Sequence, residues 1–246
     1  MNAERCAAGI VFAIPNEADA FARLAADRVE TWGEGLQFHE ATVAGHRVAW
    51  CIAGVGQARA AWATQLLIDG HRPRRLVSAG FAGGLDPGLV RGTVVQPGSV
   101  CGEAGEPTLH LAECGSGPDA AGPLIITIDR IAGTTAEKAA LAAATGGALV
   151  DMETLAVAEV ARRAGIACHG IRVVSDAATD ELPPDVGRLV QPQSTARRVG
   201  SLLGMLGRRP RSATDLWQLW ERAVVDGRSL AIALGEFVAA LADGPD

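Results

Sequence analysis

The chain reads as a three-layer α/β/α sandwich: a central, largely parallel mixed sheet between helices, with a helical C-terminal extension. Three observations predict this. Short β-branched apolar runs alternate along the chain with segments of helical period, which is the signature of α/β architecture. One stretch holds strand, helix and strand in succession: "GALVDME", "TLAVAEVARRAG" and "IACHGIRVVSD". That is the spacing of a parallel βαβ unit with its right-handed crossover. Beyond Pro183-Pro184 only helical patterns follow. The division is a domain over 1–185 and a helical extension over 186–246 packed on it.

Taken in order, "GIVFAI" (9–14) is the first strand, and Ala18, Phe21 and Leu24 behind it form a helical face. "RVAWCIAG" (47–54) is the second, leading through Gly54-Val55-Gly56 into a helix that stops at Gly70. "RRLVSAG" (74–80) runs into "FAGGLDPG", read as a glycine-rich turn. "TVVQPGSV" (93–100) is a fourth strand, 102–122 an irregular excursion, and "GPLIITID" (122–129) a fifth strand before a helix from Thr134 to Ala144. The βαβ unit follows, with Gly165 ending its helix. Residues 194–206 and 214–242 are predicted helices around the basic "GRRPRS".

Composition narrows the function classes. Nearly half of the 246 residues are apolar, enough for a large core. The net charge of −6 argues against a broad nucleic-acid footprint, which needs a basic face. Lys138 is the only lysine, so no P-loop lysine exists, and in "TAEKAALAAA" it reads as helix surface. Five scattered cysteines (Cys6, Cys51, Cys101, Cys114, Cys168) form no CxxC pair and signal neither disulfides nor zinc. No integral membrane segment is legible, and "CAAGIVFAI" runs into Pro15-Asn16-Glu17 without a cleavage site. A soluble cytoplasmic protein is expected.

Ligands in such sheets collect at the carboxyl ends of the strands. There the chain places Glu17, the Gly54/Gly56 and Gly80/Gly83/Gly84 turns, Asp151-Met152-Glu153, and Ser175-Asp176. "GVGQAR" has Arg59 where a dinucleotide fingerprint needs its third glycine. The five histidines lie away from these ends and read as structural or surface groups. Singly, each site residue has an ordinary explanation. Glu17 and Glu153 suit the first turn of a helix, Asp176 could cap a turn, Arg172 could pair in the interior, and Met152 could fill core. Their joint placement at one sheet edge favours a site.

At "VDMET" and "RVVSDAATD" the chain resembles the nucleoside phosphorylase/nucleosidase superfamily, particularly the methylthioadenosine/S-adenosylhomocysteine nucleosidases. "GIVFAIPNE" and "SAGFAGGLDPGLVRGTVV" are similar to two further family motifs in the same order, so the resemblance covers most of 9–180. "IDRIAGTTAEKAALAAATGGALVDMET", "ELPP" and the tail with "GRRP" are similar to the hopanoid-associated phosphorylase branch, whose members act on adenosylhopane.

The resemblance implies cleavage of the N-glycosidic bond of a 5′-modified adenosine. Asp176 would protonate the purine at N7, Glu17 would activate water, and Arg172 would orient the nucleophile. Glu153 would hold the ribose hydroxyls with Met152 against the sugar, and Ser175 would support Asp176. Gly54, Gly80, Phe81, Ala82 and Asp129 complete the substrate site. An ordinary aspartate has a pKa near 4, so the acid role needs burial or a neighbouring acid. No cofactor or metal is implied, with phosphate as the alternative co-substrate. Ala53 replaces the serine usual before the Gly-x-Gly turn, and Ser78 and Phe81 stand where phosphorylases carry phosphate ligands, which leans towards hydrolysis. Phosphorolysis and a non-catalytic nucleoside-binding protein are the alternatives, and a homodimer or higher oligomer is expected. In the tail, Leu216, Trp217, Leu219, Trp220, Ala223 and Val224 form an apolar face after Arg208, Arg209 and Arg211. It suits packing on the domain or a partner, or a transient membrane-surface contact.

Overall fold

The computed structural model describes residues 5–105, 108–112, 122–182 and 211–241, and the side chains of the last helix from Ala223 onward. The elements are β1 (Ala8–Phe12), α1 (Pro15–Ala18), β2 (Ala26–Gly33), β3 (Leu36–Val43), β4 (His46–Ile52), α2 (Gln57–His71) and β5 (Arg75–Gly84). There follow β6 (Val94–Val95), β7 (Ser99–Gly102), β8 (Leu109–His110), β9 (Leu124–Thr127), α3 (Thr135–Thr145), β10 (Leu149–Asp151), α4 (Thr154–Ala164), β11 (Ala167–Asp176) and α5 (Arg211–Ala239).

The sheet consists of two parallel blocks that run opposite ways. In one, β4, β1, β5 and β11 are mutually parallel; in the other, β10, β9 and β7 are. They meet where β10 pairs antiparallel with β5, at Gly83 and Gly84. β1 accompanies the same edge of β5 only as far as Ser78. Residues 79–82 of β5 therefore have no strand partner on that side, and the sheet has a gap there. β11 covers the opposite edge of β5 from Arg75 to Gly83, with a bulge between Val174 and Asp176.

Helices cover both faces, which fulfils the sandwich expectation. α2 and α4 bury Ala60, Ala63, Leu67, Val157, Ala158 and Ala161 against one face. On the other, Leu230, Leu234, Phe237 and Val238 of α5 pack with Ile10, Phe12, Phe21, Trp50 and Ile171. Burying such side chains stabilises by roughly 1.5–3 kcal/mol each, so α5 belongs to the core of the fold. It also passes close to the site. A Cβ on Gly227 would stand 2.6 Å from the carbonyl oxygen of Asn16, the residue before Glu17, so only glycine fits there. Among the described residues no helix is long and apolar enough to cross a membrane.

Several elements depart from expectation. The β2–β3 hairpin was not predicted: β2 is exposed on both faces, so it carries no period-two apolar signal. "FAGG" is strand, not turn; β5 continues to Gly84 because its glycines admit side chains from neighbouring elements. Pro97, which cannot donate to a ladder, divides the fourth strand into β6 and β7. The first helix is one turn, followed by a 3-10 turn over Phe21–Arg23. The predicted 194–206 helix, the 185/186 boundary, and the side chains of Leu216, Trp217, Leu219 and Trp220 lie outside the described residues.

Candidate active site

The gap along β5 receives Glu17, with the other predicted residues set around it. Glu17 enters it from α1, whose start is fixed by Pro15 at the first helical position. Its Oε2 accepts the backbone N–H groups of Ala13 (2.8 Å) and Ile14 (3.0 Å), and its Oε1 accepts that of Phe81 (2.9 Å). The Phe81 amide would otherwise be an orphan of the missing ladder. Gly80 makes the approach feasible, since a Cβ there would lie 2.5 Å from Glu17 Oε1. Glu17 is buried. That burial pushes its carboxyl above the ordinary range; the Phe81, Ile14 and Ala13 amides and the Arg172 charge only partly offset it.

Glu153 stands at the residue before α4 without capping it, and its Oε1 accepts the N–H of Gly56 at 2.7 Å, joining the Gly54–Gly56 turn to the end of β10. Gly56 has φ +99°, a conformation that aims this amide outwards at little cost only for glycine. Burial, then the charges of Asp151 and Glu17, push the Glu153 carboxyl up to about 8. Met152 beside it is half-buried. Asp129 accepts a hydrogen bond from Gln57 Nε2 at 2.8 Å, at the exposed rim of the same turn.

Behind these carboxylates lies a buried polar cluster only partly foreseen. Arg172 Nη2 donates to Asp151 Oδ2 (2.7 Å), Ser78 Oγ (2.7 Å) and Thr154 Oγ1 (2.6 Å). Thr127 and Thr154 hold Asp151 in turn. Arg172 is thus committed to an ion pair in the interior. Its Nε is buried with no hydrogen-bond partner among the described residues.

Asp176 stands at the end of β11, across β5 from the gap, with Gly83 opposite it. Its Oδ1 accepts the hydroxyl of Ser175 (2.6 Å), and Ser175 Oγ also reaches Ala82 O (3.3 Å). The unforeseen neighbour is Lys138. Rather than sitting on a helix surface, its side chain is fully buried, with Nζ 2.6 Å from Asp176 Oδ2. Nζ also donates to Ala177 O (2.7 Å) and Asp180 O (2.9 Å). The expected aid to Asp176 was burial or a neighbouring acid; the structure supplies burial and a cation. The only signal in the sequence was that this is the one lysine in a chain otherwise using arginine.

The charge balance follows. Four carboxylates (Glu17, Asp151, Glu153, Asp176) meet two cations, and each cation is paired with one acid: Arg172 with Asp151, Lys138 with Asp176. Glu17 and Glu153 are held by backbone amides, and positive charge arising in the gap would draw both carboxyls towards their ionised forms. Such a region favours a ligand that develops positive charge. The histidines are elsewhere, as expected: His169 packs edge-on against Phe237, His39 stacks on Trp50, and His71 pairs with Glu40.

Comparison with known proteins bears on the family and the fold. Residues 7–123 and 116–201 match the Phosphorylase superfamily. A 5′-methylthioadenosine/S-adenosylhomocysteine nucleosidase of Tolumonas auensis is 39% identical over 61 residues, 25% of this chain and 26% of that protein. The Haemophilus influenzae enzyme of the same name is 34% identical over 87 residues, 35% and 38% respectively. The matched stretches span well under half the length of these curated relatives. The S. pneumoniae nucleosidase solved with the transition-state inhibitor MT-ImmA superposes with a TM-score of 0.72 at 20% identity, covering 96% of this chain and 99% of that one. Helicobacter pylori futalosine hydrolase gives 0.68 at 16% identity, covering 94% and 96%. These two likenesses are of fold, and together with the family match over most of the sequence they lead to one statement: the chain belongs to the Phosphorylase superfamily.

Proposed function

We propose that this protein is a nucleosidase that hydrolyses the N-glycosidic bond of a 5′-modified adenosine and releases adenine. The observation that carries the reading is the pair of carboxyl groups with no cationic partner among the described residues, Glu17 and Glu153, at the gap in β5, with Asp176 across the same strand. Departure of a purine leaves an oxocarbenium-like ribose, whose positive charge draws Glu17 and Glu153 towards their ionised forms and is stabilised by them. Glu17, raised in pKa and gripped by three amides, takes a proton from water, and the resulting hydroxide oxygen bonds to C1′. The C1′–N9 electron pair passes to the base, which gains a proton at N7 from Asp176. Glu153 accepts the ribose hydroxyls, Met152 packs on the sugar, and Ser175 fixes the carboxyl of Asp176. Phe81, Ala82, Gly54, Gly80 and Asp129 line the remaining substrate path. Arg172, held behind Glu17 by Asp151, Ser78 and Thr154, helps to orient the nucleophile.

The relatives' names point to methylthioadenosine and S-adenosylhomocysteine as substrates, and the similarity to the hopanoid-associated branch adds adenosylhopane. Phosphorolysis is the second reading, favoured by one observation. The exposed Arg59 lies across the Gly54 turn, with its Nη1 2.9 Å from where a Cβ on Gly54 would be, and offers a cation at the rim. Chromatographic adenine release from the three nucleosides, each with and without phosphate, tests both. Adenine with free ribosyl hydroxyl product in phosphate-free buffer is expected. Release only with phosphate supports the second reading, and none under either condition overturns both.

A further inference from the structure

Lys138 is a fully buried ammonium that the reaction as written leaves unused. Its three donors are all engaged: Asp176 Oδ2 at 2.6 Å, Ala177 O at 2.7 Å and Asp180 O at 2.9 Å. α3, which carries it, is anchored by a reciprocal cap between Thr134 and Glu137 and by Leu141 in the core. Asp180 closes the turn by accepting the Ala177 N–H at 2.9 Å. The ammonium is therefore fixed against one oxygen of Asp176, while Ser175 holds the other. Burying a lysine is costly, and anchoring a turn could be done by a neutral donor.

We propose that Lys138 is a positioning residue that stores the proton Asp176 delivers to the purine. This rests on the assignment of Asp176 as the acid. In the resting enzyme the proton stands on Nζ, and the pair is ammonium and carboxylate. As the C1′–N9 bond breaks, its electron pair moves into the base and makes N7 more basic. An Nζ–H bond breaks as an O–H bond forms on Asp176; that O–H bond then breaks as N7–H forms. The products are neutral adenine, the Asp176 carboxylate and a neutral Lys138 amine. The one proton lost by Lys138 equals the one Glu17 takes from water, so the net charge of the site is unchanged. Once adenine leaves, Lys138 is reloaded from solvent through Asp176, whose side chain is 10% exposed where that of Lys138 is 0%.

The test compares two leaving groups in Lys138→Met, Lys138→Gln and Asp176→Asn. Methylthioadenosine needs protonation of its base; 4-nitrophenyl β-ribofuranoside releases a stable phenolate and does not. All three variants are expected to lose adenine release by about 100-fold or more, the scale of general acid catalysis. In the two Lys138 variants nitrophenol release is expected to change by less than about threefold, because the glycosidic step itself is intact. The double variant Lys138→Met/Asp176→Asn, which leaves no unpaired buried charge, is expected to be no slower than Asp176→Asn alone, since lysine acts only through the aspartate. Full adenine release in both Lys138 variants, with loss in Asp176→Asn, overturns the proton store and leaves the acid assignment standing. Parallel loss of both activities in the Lys138 variants makes the lysine structural and overturns it too. Unchanged adenine release in Asp176→Asn instead overturns the acid assignment beneath it.

Discussion

Replacing Glu153 by Gln isolates the electrostatic cost of the site. The side chain keeps an oxygen for the Gly56 N–H, which now bonds Glu153 Oε1 at 2.7 Å, and loses only its charge. Burial, with Asp151 and Glu17 behind it, pushes the Glu153 carboxyl up to about 8, whereas the unfolded chain releases that proton near the ordinary glutamate value. Between those limits the folded state binds a proton that the unfolded state does not. Stability from this group is therefore full at acid pH and is lost as pH rises towards 8, with an ideal slope of about 1.4 kcal/mol per pH unit. Glu153 is partly open to solvent, so about half that slope applies, a loss on the order of 2 kcal/mol between pH 5 and 8. Glutamine cannot titrate. Urea unfolding at pH 5, 6, 7 and 8 should thus find Glu153→Gln within about 0.5 kcal/mol of the parent at pH 5 and about 2 kcal/mol more stable at pH 8. Parallel stability curves across that range would refute the reasoning. The gain should come with weaker nucleoside binding, the usual trade between a strained site and a stable one.

Three further outcomes are expected. Arg172→Met leaves Asp151 buried without its cation and should cost about 3–5 kcal/mol, lowering Tm by about 10 °C in calorimetry. Gly80→Ala drives a methyl group into Glu17 Oε1 and should displace the carboxylate, lowering kcat by about 100-fold while far-UV circular dichroism stays native. Glu17 works as an ionised base and its pKa is raised, so kcat should climb with pH through a limb above the ordinary glutamate value; Glu17→Gln should abolish that limb and slow turnover by about 100-fold or more.

Much of the site is legible in the sequence because it interrupts local patterns. An apolar run such as "GIVFAI" or "IRVV" that ends on Glu17 or on Ser175-Asp176 shows a carboxylate delivered by a buried strand. The start of α3 near Thr134 and the Gly165 stop of α4 are local chemistry as well, and the structure keeps both. Patterns fail where the deciding partner is distant in the chain. β2 is held by pairing with β3 rather than by an apolar face, so its residues carry no periodic signal. "FAGG" has turn composition, yet it is strand, since its glycines make room for Glu17 from α1 and Asp176 from β11.

Lys138 marks the limit most sharply. Every neighbour within α3 tells a reader that this lysine faces water, and nothing in the helix contradicts it. Its burial is decided by the turn after β11, some forty residues later, which brings Asp176 and two carbonyl oxygens onto the ammonium. By itself the sequence determined the layered α/β class and which acids end its strands, because burial periodicity and capping are local. Only the tertiary structure decided which acid meets which cation, because an ion pair is set by distance in space and not along the chain.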